Sequence, residues 1–285
     1  MHHYLLLVAF CLLAASCQKE ESQADSTITA FYEFSSIDEA TINEIQDEEN
    51  WESTGWGVYE DIIFPGTTIE HATTHDTETF GFKTLKCQIT GGDAYNNAFF
   101  TNTIAKRWEG LDWYFNEVTE FEYTLRYHPE TVIDCQNSDL SEVEGLEFTF
   151  QHVMIPFSYG WGVQWSKTNT WSYWDDQKVD NKAIGWVNFQ GINECILVNE
   201  WNTLKLIGTS RDDQVHYLEL EINENSYSLD VQLPKVSTPN GWAENFLQVG
   251  FQINGNTAIR NDHPHGVDPV TVYLDEVELN IGTIN

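Results

Sequence analysis

Cationic side chains are scarce in this chain: 13 Lys and Arg stand against 45 Asp and Glu, for a formal charge of −32. A field of that sign repels phosphate backbones and anionic lipid, so nucleic acid is excluded as a partner and electrostatic docking on a membrane with it. Apolar runs are short as well. The most apolar stretch, Tyr4 to Leu13, is too short for a membrane-spanning helix. Sustained helical periodicity is missing, and so are internal repeats and proline-rich linkers, which leaves one β-rich domain rather than a bundle or a string of modules. Neither a Cys-x-x-Cys pair nor a Cys/His set at zinc spacing occurs, so a zinc finger or ribbon is excluded.

What is present begins with an address. Met1 to Ser16 carries no Asp, Glu, Lys or Arg, and its apolar core has signal-peptide length. Leu13-Ala14-Ala15-Ser16-Cys17 resembles the bacterial lipobox, which implies that residues 1–16 are removed and that Cys17 becomes a lipidated N-terminus. Cys17-Gln18-Lys19-Glu20-Glu21 is similar to the surface-export signal of Bacteroidetes lipoproteins. That resemblance implies a lipid-anchored protein of the outer membrane, displayed at the cell surface and touching the membrane through its anchor only. Residues 17–28, small and polar after the cysteine, then serve as a tether, and 29–285 form a single folded domain.

Alternation with period two marks that domain as all-β. Phe121, Tyr123, Leu125 and Tyr127 alternate with polar residues, as do Leu146, Phe148 and Phe150; Leu247, Val249, Phe251 and Ile253; and Val270, Val272 and Leu274. Turn signals separate the runs, among them Gly91-Gly92, Pro239-Asn240-Gly241 and Asn254-Gly255-Asn256. The expected architecture is an antiparallel β-sandwich of roughly a dozen strands. Glu39 to Glu49 alone has possible helical spacing. Of the cysteines after Cys17, Cys135 and Cys195 sit near loop-like segments and are expected to form a disulfide in an oxidising compartment, whereas Cys87 alternates with Leu85 and Ile89 as a buried thiol.

Two resemblances sharpen the fold. Phe31-Tyr32-Glu33-Phe34, the run from Phe80 to Lys86 and the closing Val272-Tyr273-Leu274-Asp275-Glu276-Val277 are similar to the first, early and last strands of jelly-roll carbohydrate-binding modules. Such modules often hold a structural calcium, and the resemblance places its ligands at Glu33 and Asp275. The middle of the chain, Gly145-Leu146-Glu147-Phe148 and Asn199-Glu200-Trp201-Asn202-Thr203-Leu204, resembles concanavalin A-like lectin and glucanase sandwiches.

Five tryptophans, Trp161, Trp165, Trp171, Trp174 and Trp186, fall within one short stretch beside Gly160 and Gly162. Sugar C–H faces stack on indole rings, so the cluster points to a glycan platform built from Trp165, Trp171, Trp174 and Trp186. Core packing competes for the same residues, because Trp161, Val163 and Trp165 share one face. About two of the five are expected inside, with Trp171 and Trp174 on opposite faces of their strand. Arg126, Glu147, Gln151, Gln248 and Gln252 alternate with core residues and are expected to line a concave groove that reads sugar hydroxyls.

A catalytic constellation is harder to find. Asp175-Asp176 and Glu120-Glu122 are acidic pairs without a partner logic, and Glu144 and Glu147 face opposite ways on a regular strand. A uronate lyase needs a Tyr or His base, yet His152 shares parity with Phe148 and Phe150 and points inward. His263-Pro264-His265 near Asp262 and Asp268 offers metal-ligand types without a third ligand at recognised spacing. The expected function is surface glycan binding, with polysaccharide cleavage by a hydrolase or a uronate lyase as the alternative and a purely adhesive surface protein as a third.

Overall fold

The computed structural model describes residues 28–33, 56–62, 69–76, 78–82, 84–91, 97–103, 119–179, 182–211, 213–238, 246–255 and 269–283. The leader, Cys17, the Glu39 to Glu49 segment and the histidines at 263 and 265 with Asp262 and Asp268 lie outside the described residues, as do the side chains of β1. In chain order the described strands are β1 (Ile28–Glu33), β2 (Gly57–Ile62), β3 (Ile69–Asp76), β4 (Thr84–Gly91), β5 (Asn97–Thr103), β6 (Thr119–Pro129), β7 (Gly145–Met154) and β8 (Phe157–Ser166). They continue with β9 (Thr170–Val179), β10 (Lys182–Asn188), β11 (Asn202–Arg211), β12 (Gln214–Ile222), β13 (Asn225–Pro234), β14 (Val236–Ser237), β15 (Phe246–Asn254) and β16 (Val270–Thr283).

Two antiparallel sheets pack face to face. The first runs β13-β12-β11-β6-β16-β4-β3 with β1 also on β16; the second runs β10-β9-β8-β7-β15-β5-β2 with β14 on β8. Chain-distant strands pair in both, β6 with β16 and β7 with β15, the nested crossover pattern of a jelly roll. Each run of alternating apolar residues recognised in the sequence is a strand, and its described apolar side chains turn inward. Phe121, Tyr123, Leu125 and Tyr127 of the first sheet meet Phe148, Phe150, Val249 and Phe251 of the second in one core. Aromatic contacts cross between the layers, Phe121 to Phe150 at 4.4 Å and Tyr127 to Phe148 at 5.0 Å between ring centroids. Tilted and edge-on rings at such distances add attraction beyond the area they bury.

Cys87 lies in β4 inside this core, where burial pushes its thiol well above the ordinary range and leaves it inert. Cys135 and Cys195 form a disulfide with their Cα atoms 5.8 Å apart and a sequence separation of 60. The bridge joins the segment after β6 to the one before β11, whose Glu194 carbonyl accepts the indole N–H of Trp171 at 2.8 Å. In the chain-entropy account a loop of that length restrains the unfolded state by about 4 kcal/mol. Replacing both cysteines by alanine is expected to lower unfolding stability by about that amount in denaturant titrations. An unchanged midpoint would show that other contacts already fix these segments.

Candidate functional site

The outward face of the second sheet is built by the same alternation that fills the core. With Trp161, Val163 and Trp165 of β8 turned inward, Gly160, Gly162 and Gln164 turn outward; with Leu146, Phe148 and Phe150 of β7 inward, Glu147, Thr149 and Gln151 turn outward. The register sets Glu147 opposite Gln164, Thr149 opposite Gly162 and Gln151 opposite Gly160. On the other flank β15 sets Gln252 beside Glu147 and Gln248 beside Gln151.

β8 changes neighbours along its length. Its C-terminal part, Val163 to Ser166, pairs with β9, while Phe157 and Ser158 pair with β14. Between them, among the described strands, Tyr159 to Gly162 have a partner on the β7 side only. Tyr217, reaching across from the first sheet, fills that gap: its hydroxyl accepts the Gly162 N–H at 2.9 Å and donates to the Gly162 carbonyl at 3.3 Å. Burial pushes the phenol far up, so it stays a neutral donor.

A cleft of about 210 Å³ opens here. Phe150, Trp161, Val215 and Leu233 form its floor; Phe99, Trp174, Pro234 and Val236 wall it; and Glu147, Thr149, Gln151, Ser158 and Asp176 bring polar groups. Trp174 and Trp186 stand opposite each other on β9 and β10, ring centroids 5.2 Å apart and planes at 69°. Both are partly exposed. They flank Gly162, where an added methyl would lie 3.5 Å from the Trp174 Cβ and 3.6 Å from the Trp186 ring. The Trp174 indole donates to Asp176 Oδ1 at 2.6 Å, which fixes the ring's orientation. Gln151 donates to Ser158 Oγ at 3.1 Å, and Gln252 to Glu147 Oε2 at 3.0 Å.

Several sequence expectations are corrected. Trp165 and Trp171 are fully buried, so they are core residues and no platform. Their indole N–H groups are satisfied inside, Trp165 by the Asn169 side chain at 3.2 Å and Trp171 by the Glu194 carbonyl. Three of the five tryptophans are therefore core, not two, while Trp171 and Trp174 do take opposite faces of β9. Gln252 faces outward but is covered, 4% exposed, with its amide spent on Glu147 and Asn254. Gln248 sits farther along β15, opposite Gln151 and Thr103. Arg126, like Glu120 and Glu122, belongs to β6 in the first sheet, so it cannot share a groove with Gln151.

Arg126 has another task. Its guanidinium lies over the Trp201 ring, 4.4 Å from the centroid, and pairs with Asp275, the bulged residue between Leu274 and Glu276 of β16. Asp275 is buried and its Oδ1 has no hydrogen-bond partner; the β1 backbone sets Glu33 opposite Glu276 beside it. A calcium ion at Asp275 would compete with the Arg126 charge that already pairs with this carboxylate. No group of three or more His, Cys, Asp or Glu able to hold a metal occurs among the described residues.

The chemistry open to the cleft is narrow. Glu147 and Asp176 are the carboxylates that line it. Asp176 lies on β9, two strands from Glu147 and four residues beyond Ser172, which shares the Glu147 row. No described His or Tyr lines the cleft, and His152 is buried in the core, its pKa lowered by burial to about 4. Phe99, Ser158 and the β14 wall escaped the sequence reading, because their contribution depends on which strands become neighbours. The Trp174–Asp176 pair carried a signal, since i, i+2 residues share a strand face.

No family model matches the chain, and no curated protein does either. Among solved structures it is similar to arcelin-5, a lectin-like defence protein from Phaseolus vulgaris, at 11% identity over 80% of this chain and 99% of that one, TM-score 0.40. Lectin I from Ulex europaeus, in complex with the methyl glycoside of α-L-fucose, gives 12% identity over 81% and 100%, TM-score 0.42. A Bacillus licheniformis β-glucanase gives 9% identity over 80% and 99%, TM-score 0.36. Likenesses this distant do not bear on what the cleft holds.

If the Arg126–Asp275 pair is what staples β6 to β16, a chelator should leave the melting temperature unchanged. Arg126→Ala should cost about 3 kcal/mol by stranding a buried carboxylate, the low end for a buried pair because Arg126 is partly exposed. A calcium-dependent rise in melting temperature would overturn this assignment.

Proposed function

We propose that this chain is a glycan-binding protein that holds a polysaccharide against the outward face of its second sheet. The observation that carries the reading is the Trp174–Trp186 pair, partly exposed and set at a steep angle over the bare backbone of Gly162. Indole faces match the C–H faces of sugar rings, and the neighbouring Glu147, Thr149, Gln151 and Ser158 offer donors and acceptors to the hydroxyls between them. Binding rather than cleavage is the simpler reading, because the Trp174–Trp186 pair accounts for contact with a sugar ring and supplies no acid, base or nucleophile.

Export belongs to the same reading. The lipobox-like run ending at Cys17 and the acidic residues after it support a lipid anchor at the outer membrane surface, and the Cys135–Cys195 disulfide is of the kind that persists outside the reducing cytoplasm.

Incubation with a panel of soluble polysaccharides, following both retention in affinity gels and new reducing or unsaturated ends, tests the proposal. Retention without products is expected; products that accumulate with turnover would replace binding by catalysis. Trp174→Ala should weaken binding roughly tenfold, about 1.4 kcal/mol of stacking, while shifting the melting temperature little. Trp171→Ala should instead cost about 3 to 5 kcal/mol of stability. If the Trp174 variant folds and binds as the parent does, the platform lies elsewhere.

A further inference from the structure

Given a glycan on this face, we infer that its ligand is not anionic: it carries no uronate or sulfate at the positions the cleft contacts. Every described lining residue is apolar, neutral polar or acidic, and the charged ones are Glu147 and Asp176. Recognition of a uronate or sulfate calls for guanidinium, ammonium or a cluster of backbone N–H groups. Here the backbone N–H of Gly162 is already taken by Tyr217.

Two cations whose side chains are described have other partners. Lys235, between the lining residues Pro234 and Val236, pairs with Asp213 and lies over the Phe157 ring. Arg126 stands on the other sheet with Asp275. An anionic sugar would thus meet two carboxylates among the described lining, in a chain that carries −32 overall.

Both carboxylates accept from neutral donors, Asp176 from the Trp174 indole and Glu147 from the Gln252 amide. Those bonds orient the platform and the cleft edge. Each sugar hydroxyl needs one acceptor or one donor, and Thr149, Gln151, Ser158 and the remaining carboxylate lone pairs supply both.

The test separates local charge from the field of the whole molecule. Affinity electrophoresis of the full chain in about 0.5 M salt, where screening acts within about 4 Å, would compare a mixed-linkage β-glucan, a galactomannan and an arabinoxylan with alginate, pectate and a sulfated galactan. At least one neutral polymer should be retained roughly tenfold or more better than any anionic one, a difference of about 1.4 kcal/mol. Glu147→Gln with Asp176→Asn should then raise retention of alginate or pectate. An anionic polymer held as tightly as the neutral ones, and released by Trp174→Ala, would overturn the charge inference while leaving the glycan site standing. Failure of the double variant to gain any polyuronate binding would overturn it too. Retention of none of the polymers would sink both readings.

Discussion

Trp161, Trp165 and Trp171 lie wholly between the two sheets, and the rest of the molecule is arranged around keeping them there. A buried indole brings a large apolar area and one N–H that must be satisfied, because an unpaired donor in the interior offsets much of the gain from burial. Each has its partner: the His216 carbonyl for Trp161, the Asn169 side chain for Trp165, the Glu194 carbonyl for Trp171. These partners come from β12, from the β8–β9 turn and from the segment next to the disulfide. Burying the three rings therefore fixes the opposite sheet, a hairpin and a long connection at once. The outward face follows without further instruction. Once Trp161 and Trp165 are inside, the strand's period leaves Gly160, Gly162 and Gln164 outside, and once Trp171 is inside Trp174 must be out.

How much of this was legible in the sequence depends on whether a residue's role is decided within one strand or between several. Alternation located the strands and the inward direction of His152 and Cys87, since both are properties of a single strand. It also separated Trp171 from Trp174. Parity alone did not say which of the two faced solvent; that was settled by the pairing of β8 with β9. Arg126 was read into the groove because it is polar and alternates with core residues, both of which hold. Sheet membership is what failed, because it depends on the crossovers that pair β6 with β16 and β7 with β15. Gln252 failed differently, its parity being right and its exposure removed by Glu147 and Asn254. The cleft itself has no sequence signal, since it exists where β8 exchanges β9 for β14.

The same framework constrains what the cleft can do with a bound sugar. Catalysis requires groups that interact more strongly with the transition state than with the ground state, and carboxylates at a set separation are how glycosidases meet that requirement. Trp174 and Trp186 offer no such discrimination, because a ring face stacks on a sugar whether or not its glycosidic bond is breaking. What they offer is rigidity. Trp174 is tied to Asp176 and packed beside Gly162, so little rotamer freedom is lost when a ligand arrives, and the affinity of a small contact is preserved. One shallow platform of this kind gives modest affinity alone. For a protein tethered at a surface, as proposed through Cys17, that is enough: a polymer presents its repeat to many tethered copies, and each further engagement is paid at the effective concentration of the array rather than of bulk solution. On the proposed reading, weak repeated contacts of this kind would suffice to hold a long chain at the surface.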